Sequence, residues 1–373
     1  MTSRRRSGGG GPAPLTGAGR QRGRDLPVVA GRGTNHSPPN RFESLAFEVD
    51  PESVDPDAPG PRTQLIDDAS RSIVATNDSP DVGFDASVNP YRGCEHGCVY
   101  CYARPSHEYL GYSAGLDFET KILVKRDAPE LLRKALSAPG WKPRTVAMSG
   151  VTDPYQPAEG ALRLTRGCLE VLRDFRNPVG VITKNRLVTR DADLLGELAE
   201  HGAAAVFLSV TSLDRSLQRV MEPRTSTPAG RLDAIRRLTA AGIPAGVMVA
   251  PVIPGLTDHE VPAIVEAAAQ AGAVAAGWVM LRLPHGVKEL FEDWLGAHFP
   301  DRRERVLNRI REVRGGELSD STFGRRQRGS GEYARQIEAL FKAAVRKAGL
   351  PGMPKLSTSA FRVPGKPLQL GLF

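Results

Sequence analysis

Three of the chain's four cysteines fall within eight positions, as Cys94, Cys98 and Cys101 of NPYRGCEHGCVYCYAR. The spacing C-x3-C-x2-C offers three soft thiolate donors, which suit zinc or an iron–sulfur cluster. A structural zinc site closes with four ligands, and His96 inside the loop or His107 just beyond it could supply the fourth. A [4Fe–4S] cluster ordinarily takes four cysteines, so three would leave one iron open to an outside ligand. Gly93 and Gly97 let the backbone wrap such a group without Cβ clashes. Cys168 stands apart, at the start of an expected helix in LTRGCLEVLRDF. A helix N-terminus lowers a thiol pKa, which makes Cys168 a catalytic candidate, although a buried Cys is usually a small core residue.

These residues need a scaffold to hold them. Short apolar runs at 85–90, 145–150, 179–183, 205–211, 245–252 and 276–283 fit buried parallel strands. The segments between them (APELLRKAL, LEVLRDF, DADLLGELAEHG, AGRLDAIRRLTAAG and EVPAIVEAAAQAG) place apolar residues at three- and four-residue spacings, as helices do. Three of them end at Gly202, Gly242 and Gly272, as left-handed helix caps prefer. Six βα units in a row predict an α/β fold built as a partial, TIM-like (βα)6 barrel. Ligands of such folds bind at the C-terminal ends of the strands. The cysteine loop follows the first strand there. Thr152 and Asp153 follow the second, with Tyr155 and Glu159 facing the same rim, Lys184 follows the third, and Ser209 and Thr211 end the fourth.

The remaining segments divide by composition. Residues 1–42 read as a disordered basic arm, with eight Arg against Asp25 alone, and hold most of the chain's net charge of +8. A basic arm on a near-neutral body suits contact with nucleic acid, because Arg displaces counterions from phosphate; a solvated leader is the plainer reading. Residues 43–84 read as an extended lead-in, 85–290 as the barrel, 291–350 as a helical, Arg-rich extension and 351–373 as a flexible tail. No run of roughly 20 apolar residues is present, so no membrane span is expected. No apolar segment follows the basic start, so a secretory signal is not expected either. A cytoplasmic location follows as the expectation, and clustered Cys there reads as metal binding or catalysis.

The loop YRGCEHGCVYC resembles the signature of the radical S-adenosylmethionine (SAM) superfamily, C-x3-C-x-aromatic-C, with Tyr100 in the aromatic place. Together with TDPYQPAE it is similar to the spore-photolyase-like branch, over roughly residues 85–290. The resemblance implies a [4Fe–4S] cluster on Cys94, Cys98 and Cys101, with SAM on the open iron. It implies reductive cleavage of SAM to a 5′-deoxyadenosyl radical that takes hydrogen from a substrate, with flavodoxin or ferredoxin as electron donor. It places Asp153 at the SAM amino group and Lys184 at the carboxylate, with Thr152 and Ser209 beside them. Nucleic acid, and with it DNA repair, is the substrate class implied. One feature departs from the branch: spore photolyases carry a hydrogen-donating Cys near the end of strand two, and this chain reads AMSGVTDP there. Tyr155 or an external reductant would have to stand in. The rival readings are a zinc-bearing nucleic-acid-binding module without catalysis, and a radical SAM enzyme acting on a protein or small metabolite.

Residues 369–373, QLGLF, resemble the pentapeptide with which bacterial proteins bind the sliding clamp. Gln369 and Leu370 open it, and Leu372 and Phe373 are the apolar anchors. A leash such as PGKP would present them.

Overall fold

A computed structural model describes residues 29–43, 60–148 and 150–365. Its strands are β1 (Gln64–Asp67), β2 (Val74–Thr76), β3 (Ala86–Val88), β4 (Tyr91–Arg92), β5 (Lys121–Val124), β6 (Val146–Met148), β7 (Val179–Thr183), β8 (Ala204–Ser209), β9 (Ala245–Val252) and β10 (Ala275–Met280). The main sheet runs β10-β9-β8-β7-β6-β3-β2. Its six strands from β3 to β10 are parallel neighbours, and β2 adds an antiparallel edge. β10 and β3 lie at opposite ends of that parallel series, so the barrel is open. A small sheet, β1-β5-β4, flanks the cysteine loop.

The major helices are α1 (Ala128–Ser137), α2 (Leu164–Phe175), α3 (Ala192–Ala199), α4 (Arg215–Met221), α5 (Pro228–Ala240), α6 (Val261–Gln270), α7 (Val287–His298), α8 (Arg303–Val313) and α9 (Gly331–Lys347). Their starts are chemically marked. The Asp214 side chain accepts from the N–H groups of Ser216 and Leu217 ahead of α4, and Thr227 accepts from Gly230 ahead of α5, where Pro228 opens the helix. Gly202, Gly242 and Gly272 adopt the expected left-handed conformation after α3, α5 and α6. The core lies between sheet and helices: Leu169 and Leu172 of α2, Leu195 and Leu198 of α3 and Leu238 of α5 pack on Val179, Val206 and Val247.

Two expected boundaries change. Residues 29–42, part of the expected disordered arm, lie on the barrel. Arg32 Nη1 donates to the Glu119 carbonyl (3.0 Å), Gly33 N to Glu119 Oε2 (3.0 Å) and Asn40 Nδ2 to the Glu108 carbonyl (2.8 Å). Composition suggested disorder because Gly, Pro and Arg cannot build a core of their own; here they borrow one. The helical extension is likewise no appendage. Ala334, Ile337, Phe341 and Ala344 of α9 are buried in the main core, and Phe341 meets Trp278 of β10 at 6.0 Å between ring centroids. Each large apolar side chain so buried stabilises by roughly 1.5–3 kcal/mol, so this face holds the helix to the sheet edge. α7 and α8 form a second apolar cluster with the cysteine loop: Phe291, Leu295, Leu307 and Ile310 pack with Cys98, Val99 and Tyr100.

Candidate active site at the mouth of the barrel

The cysteine loop leaves β4 and crosses the C-terminal ends of the parallel strands. Gly93 and Gly97 turn it with φ of 81° and 67°, in the left-handed region that glycine tolerates. Its backbone is held from three sides. Cys94 N donates to Phe118 O (2.9 Å), Val99 N to Met221 O (3.1 Å), and the Arg104 guanidinium to Cys98 O (3.0 Å). Arg104 is fully buried and ion-paired to Glu119 at 2.5 Å. Glu119 also receives Gly33 N and the Thr34 hydroxyl, each at 3.0 Å, so one carboxylate ties the N-terminal strap to the loop.

Cys94, Cys98 and Cys101 are free thiols, the first two buried and the third partly open. Cys101 packs against both the apolar cluster holding Cys98 and the one holding Cys94, so it bridges its two partners. Burial pushes all three thiols up; Asp153 and the two other thiols add to this at Cys94, and Glu222 adds to it at Cys98. Lys184 opposes the shift at Cys98, and Arg104 and Lys184 oppose it at Cys101. Three buried, mutually coupled sulfurs that ionise poorly alone fit a metal cluster, whose irons supply the positive charge they need. Both candidate fourth ligands for zinc are turned elsewhere. His96 Nδ1 faces Asp153 Oδ2 at 3.3 Å, and its Nε2 lies 3.4 Å from the Asn185 amide. His107 Nε2 donates to the Lys121 carbonyl at 2.9 Å. Among the described residues, no three His, Cys, Asp or Glu side chains converge on a point fit for a single ion.

The strand-end residues come together in one hydrogen-bonded network. A carboxylate offers about four acceptor sites, and four donors fill those of Asp153. The Thr183 hydroxyl (2.6 Å) and Tyr155 N (2.9 Å) reach Oδ1, and Lys184 N (2.7 Å) and His96 reach Oδ2. Burial pushes this carboxyl up, but His96, Thr183 and the Lys184 N–H together hold it below its ordinary value. Lys184 Nζ is also committed, to Ala250 O (2.9 Å), Thr211 Oγ1 (3.2 Å) and Glu222 Oε1 (3.3 Å). Both side chains stand at the strand ends, each held by protein groups.

Glu222 is a residue that no motif in the sequence marked. It follows α4 and is almost wholly buried, with its carboxylate on Arg231, Tyr100, Thr211 and Lys184. Burial pushes the carboxyl up, and Arg231 and Lys184 outweigh it, leaving Glu222 ionised well below the usual carboxylate range. Nothing in RVMEPRT marks it, since its partners come from the ends of β7 and β8, from α5 and from the cysteine loop. Tyr100, in the aromatic place of the signature, is buried with its hydroxyl on Glu222 and so anchors the loop from beneath. Tyr102, also missed, has a half-exposed ring at the mouth and donates to Gly150 O at 2.5 Å. Thr152, after β6, places its hydroxyl 3.5 Å from Tyr91 O. Ser209 ends β8, and its carbonyl accepts from Arg231 at 2.7 Å.

The two catalytic candidates are not at the mouth. Cys168 is fully buried in the main core on α2, where burial and then Glu159 push its thiol up rather than down. Tyr155 is fully buried, its hydroxyl facing Asp191 without reaching hydrogen-bond geometry. Neither has a surface to offer a substrate. Glu159, expected at the same rim, is buried too and binds Tyr91 (2.5 Å) and Arg190 (2.7 Å). The pentapeptide Gln369, Leu370, Leu372 and Phe373, and residues 1–28 of the basic arm, lie outside the described residues. Among those described, no helix is long and apolar enough to cross a membrane.

Comparison with known proteins agrees with this architecture. The sequence model of the radical SAM superfamily matches residues 88–268. An uncharacterized protein of Mycobacterium tuberculosis is 39% identical over 232 residues, covering 62% of this chain and 67% of that protein. The radical SAM Nα-GlyT isomerase of Pseudomonas phage M6 is 29% identical over 178 residues, covering 46% of this chain and 34% of the isomerase. Among solved structures, spore photoproduct lyase complexed with dinucleoside spore photoproduct superposes with a TM-score of 0.54 at 18% identity, covering 77% of this chain and 80% of that one. A spore-photolyase-like fold, a cysteine loop at the mouth of an open parallel barrel and a matching sequence model lead to one conclusion: the chain belongs to the radical SAM superfamily, enzymes that bind a [4Fe–4S] cluster and SAM.

Proposed function

We propose that Cys94, Cys98 and Cys101 hold the [4Fe–4S] cluster, that SAM takes the open iron, and that the substrate is nucleic acid. The observation that carries the reading is the gathering of three free thiols on one loop at the barrel mouth, with Lys184 and Arg104 beside them. When bound, the cluster would supply the electron for reductive cleavage of SAM, and with it the means to abstract hydrogen from the substrate.

The chain's own residues hold this site in shape. Arg104 and Glu119 fix the loop to the N-terminal strap, and Glu222 fixes Tyr100, Lys184 and Arg231 beneath it. Asp153 locks the end of β6 to that of β7 through Thr183 and the Lys184 N–H. Asp153 and Lys184 therefore act on SAM by positioning, and Ser209 ends β8 at the same rim. The apolar floor of α7 and α8 keeps water from the underside of the loop. Superfamily membership sets aside a non-catalytic zinc module.

Support for nucleic acid comes from the relatives. The lyase of similar fold is solved with a dinucleoside, and the phage relative is a GlyT isomerase. Those facts belong to those proteins. No cysteine follows β6 at residues 150–157, so hydrogen return by the thiol route of spore photolyases is not part of this proposal. A role in DNA repair would follow from lesion-dependent turnover.

Anaerobic reconstitution tests the cluster. The wild type should bind four irons per chain, turn brown and absorb near 400 nm, whereas Cys98→Ala should lose iron, colour and SAM cleavage together. Retained cleavage would refute the ligand assignment. SAM cleavage against a panel of DNA, RNA, protein and metabolites, read by deuterium transfer, tests the substrate; stimulation by protein or metabolite alone would overturn the nucleic-acid reading. We also propose that residues 369–373 bind the sliding clamp and that flavodoxin or ferredoxin supplies the electron. A pulldown with purified clamp, full length against a chain lacking 369–373, tests the first; reduction of the cluster by each donor tests the second.

A further inference from the structure

Beside the cysteine loop, two exposed aromatic rings each carry an arginine. Tyr102 follows Cys101 directly, and its ring is half exposed. The Arg282 guanidinium, just after β10, sits 5.3 Å from that ring's centroid. Further out, Phe323 is 57% exposed, with the Arg326 guanidinium 4.3 Å from its centroid. Arg282 and Arg326 stand on adjacent segments: Met280 N donates to Gln327 O (2.8 Å), and the Arg314 guanidinium joins the carbonyls of Leu281 and Arg325, so the two ring–arginine pairs are neighbours.

The two arginines differ. Arg326 is neutralised by Asp81 and also donates to Ser79. Arg282 has no hydrogen-bond acceptor and no carboxylate at ion-pair distance among the described residues. It is partly buried, and Arg314 is held close behind it by the carbonyls of Met280, Leu281 and Arg325. A cation left unpaired at partial burial beside other cations is costly, and an anion would relieve it. An isolated exposed aromatic needs no explanation. Rings alternating with guanidinium groups, starting one residue from the third cysteine, match the pattern used to hold single strands: bases stack on the rings and the backbone follows the cations.

We propose that Tyr102, Arg282, Arg326 and Phe323 form a platform for a single nucleic-acid strand, with Arg282 on a phosphate and Tyr102 and Phe323 stacking bases. This rests on the nucleic-acid reading above and gives it a form: an unpaired strand, laid from the linker after α8 toward the cysteine loop. A base at Tyr102 would lie one residue from Cys101 of the cysteine loop.

Binding can be measured apart from turnover. Fluorescence anisotropy on the full-length, reconstituted protein would use a labelled single-stranded oligonucleotide of about 12 nucleotides. Phe323→Ala and Arg282→Gln should each weaken binding about tenfold. Arg282→Gln should also lower the slope of log K against log salt by about 0.7, the loss of one single-strand phosphate contact. Arg237→Gln, which removes an exposed charge on α5, controls for net charge and should leave affinity and slope unchanged. Thermal melting should show all three variants folded. Wild-type affinity in both Phe323→Ala and Arg282→Gln, or an equal loss in Arg237→Gln, would overturn the platform while the nucleic-acid reading stands. Duplex binding as tight as the single strand would overturn the stacking role. A wild type that binds no oligonucleotide would overturn both.

Discussion

Lys184 Nζ and Glu222 Oε1 stand 3.3 Å apart beneath the cysteine loop, joining the end of β7 to the turn after α4. Glu222 also balances Arg231, which is as deeply buried as itself. Removing one partner of a buried ion pair costs more than the pair contributes, because the remaining charge stays in a low dielectric. Glu222→Gln should therefore destabilise by about 3–5 kcal/mol. Thermal melting of the reconstituted protein measures this. Glu222→Gln should also retain less iron, since Tyr100 and Lys184 lose their common anchor. An unchanged melting temperature would contradict the network.

Asp153 offers a separate test, because it was expected to bind SAM and is found fully occupied. Asparagine there would turn an N–H group toward the Thr183 and Tyr155 donors or toward those of Lys184 and His96. Asp153→Asn should cost roughly 1.5–3 kcal/mol, the range for hydrogen bonds to a charged group, and the loss should appear without SAM present. Weaker SAM binding at an unchanged melting temperature would instead show a direct ligand.

The strap leaves no room for a side chain at Gly33. A methyl there would fall 1.5 Å from the Gly97 carbonyl oxygen and 2.7 Å from its carbon, with backbone on both sides of the clash. Gly33→Ala must lift the strap or shift the loop, at a cost of about 1–3 kcal/mol. Limited proteolysis should then cut within residues 29–43 where the wild type resists, and the cluster should bleach faster in air. Equal resistance in both proteins would show the contact to be loose.

His107 sets a pH dependence. Its Nε2–H donates to the Lys121 carbonyl, while Nδ1 is buried without a partner near Phe118 and Tyr112. Burial lowers its pKa from 6.5 to about 4. The unfolded chain thus takes up this proton at higher pH than the folded one. The contribution to stability is complete above pH 6.5 and fades as the pH falls toward 4, by up to about 3 kcal/mol. Unfolding midpoints at pH 7.5 and 5.0 should differ less in His107→Gln than in the wild type. An equal difference in both would assign the acid sensitivity to other groups.

Much of this architecture is local in origin and so could be read along the chain. Alternation of apolar strands with three- and four-residue helical spacing located the six parallel strands and the helices between them. The cysteine spacing and its glycines are contained in one loop, where neighbours in sequence are neighbours in space. The order of motifs along a βα series then put Asp153, Lys184 and Ser209 at one rim. What the sequence could not carry is how the donors and acceptors there are spent. Glu222 becomes an anchor only because the ends of β7 and β8, α5 and the cysteine loop converge on it; in RVMEPRT it is an ordinary acid after a helix. Tyr155 and Cys168 looked available because spacing says nothing about which side of the sheet layer covers them. Residues 29–42 looked disordered because their support, Glu119 and Glu108, is distant in sequence. Charge pairing and burial depend on contacts between distant segments, so tertiary structure alone decided which strand-end groups brace the site and which face the mouth.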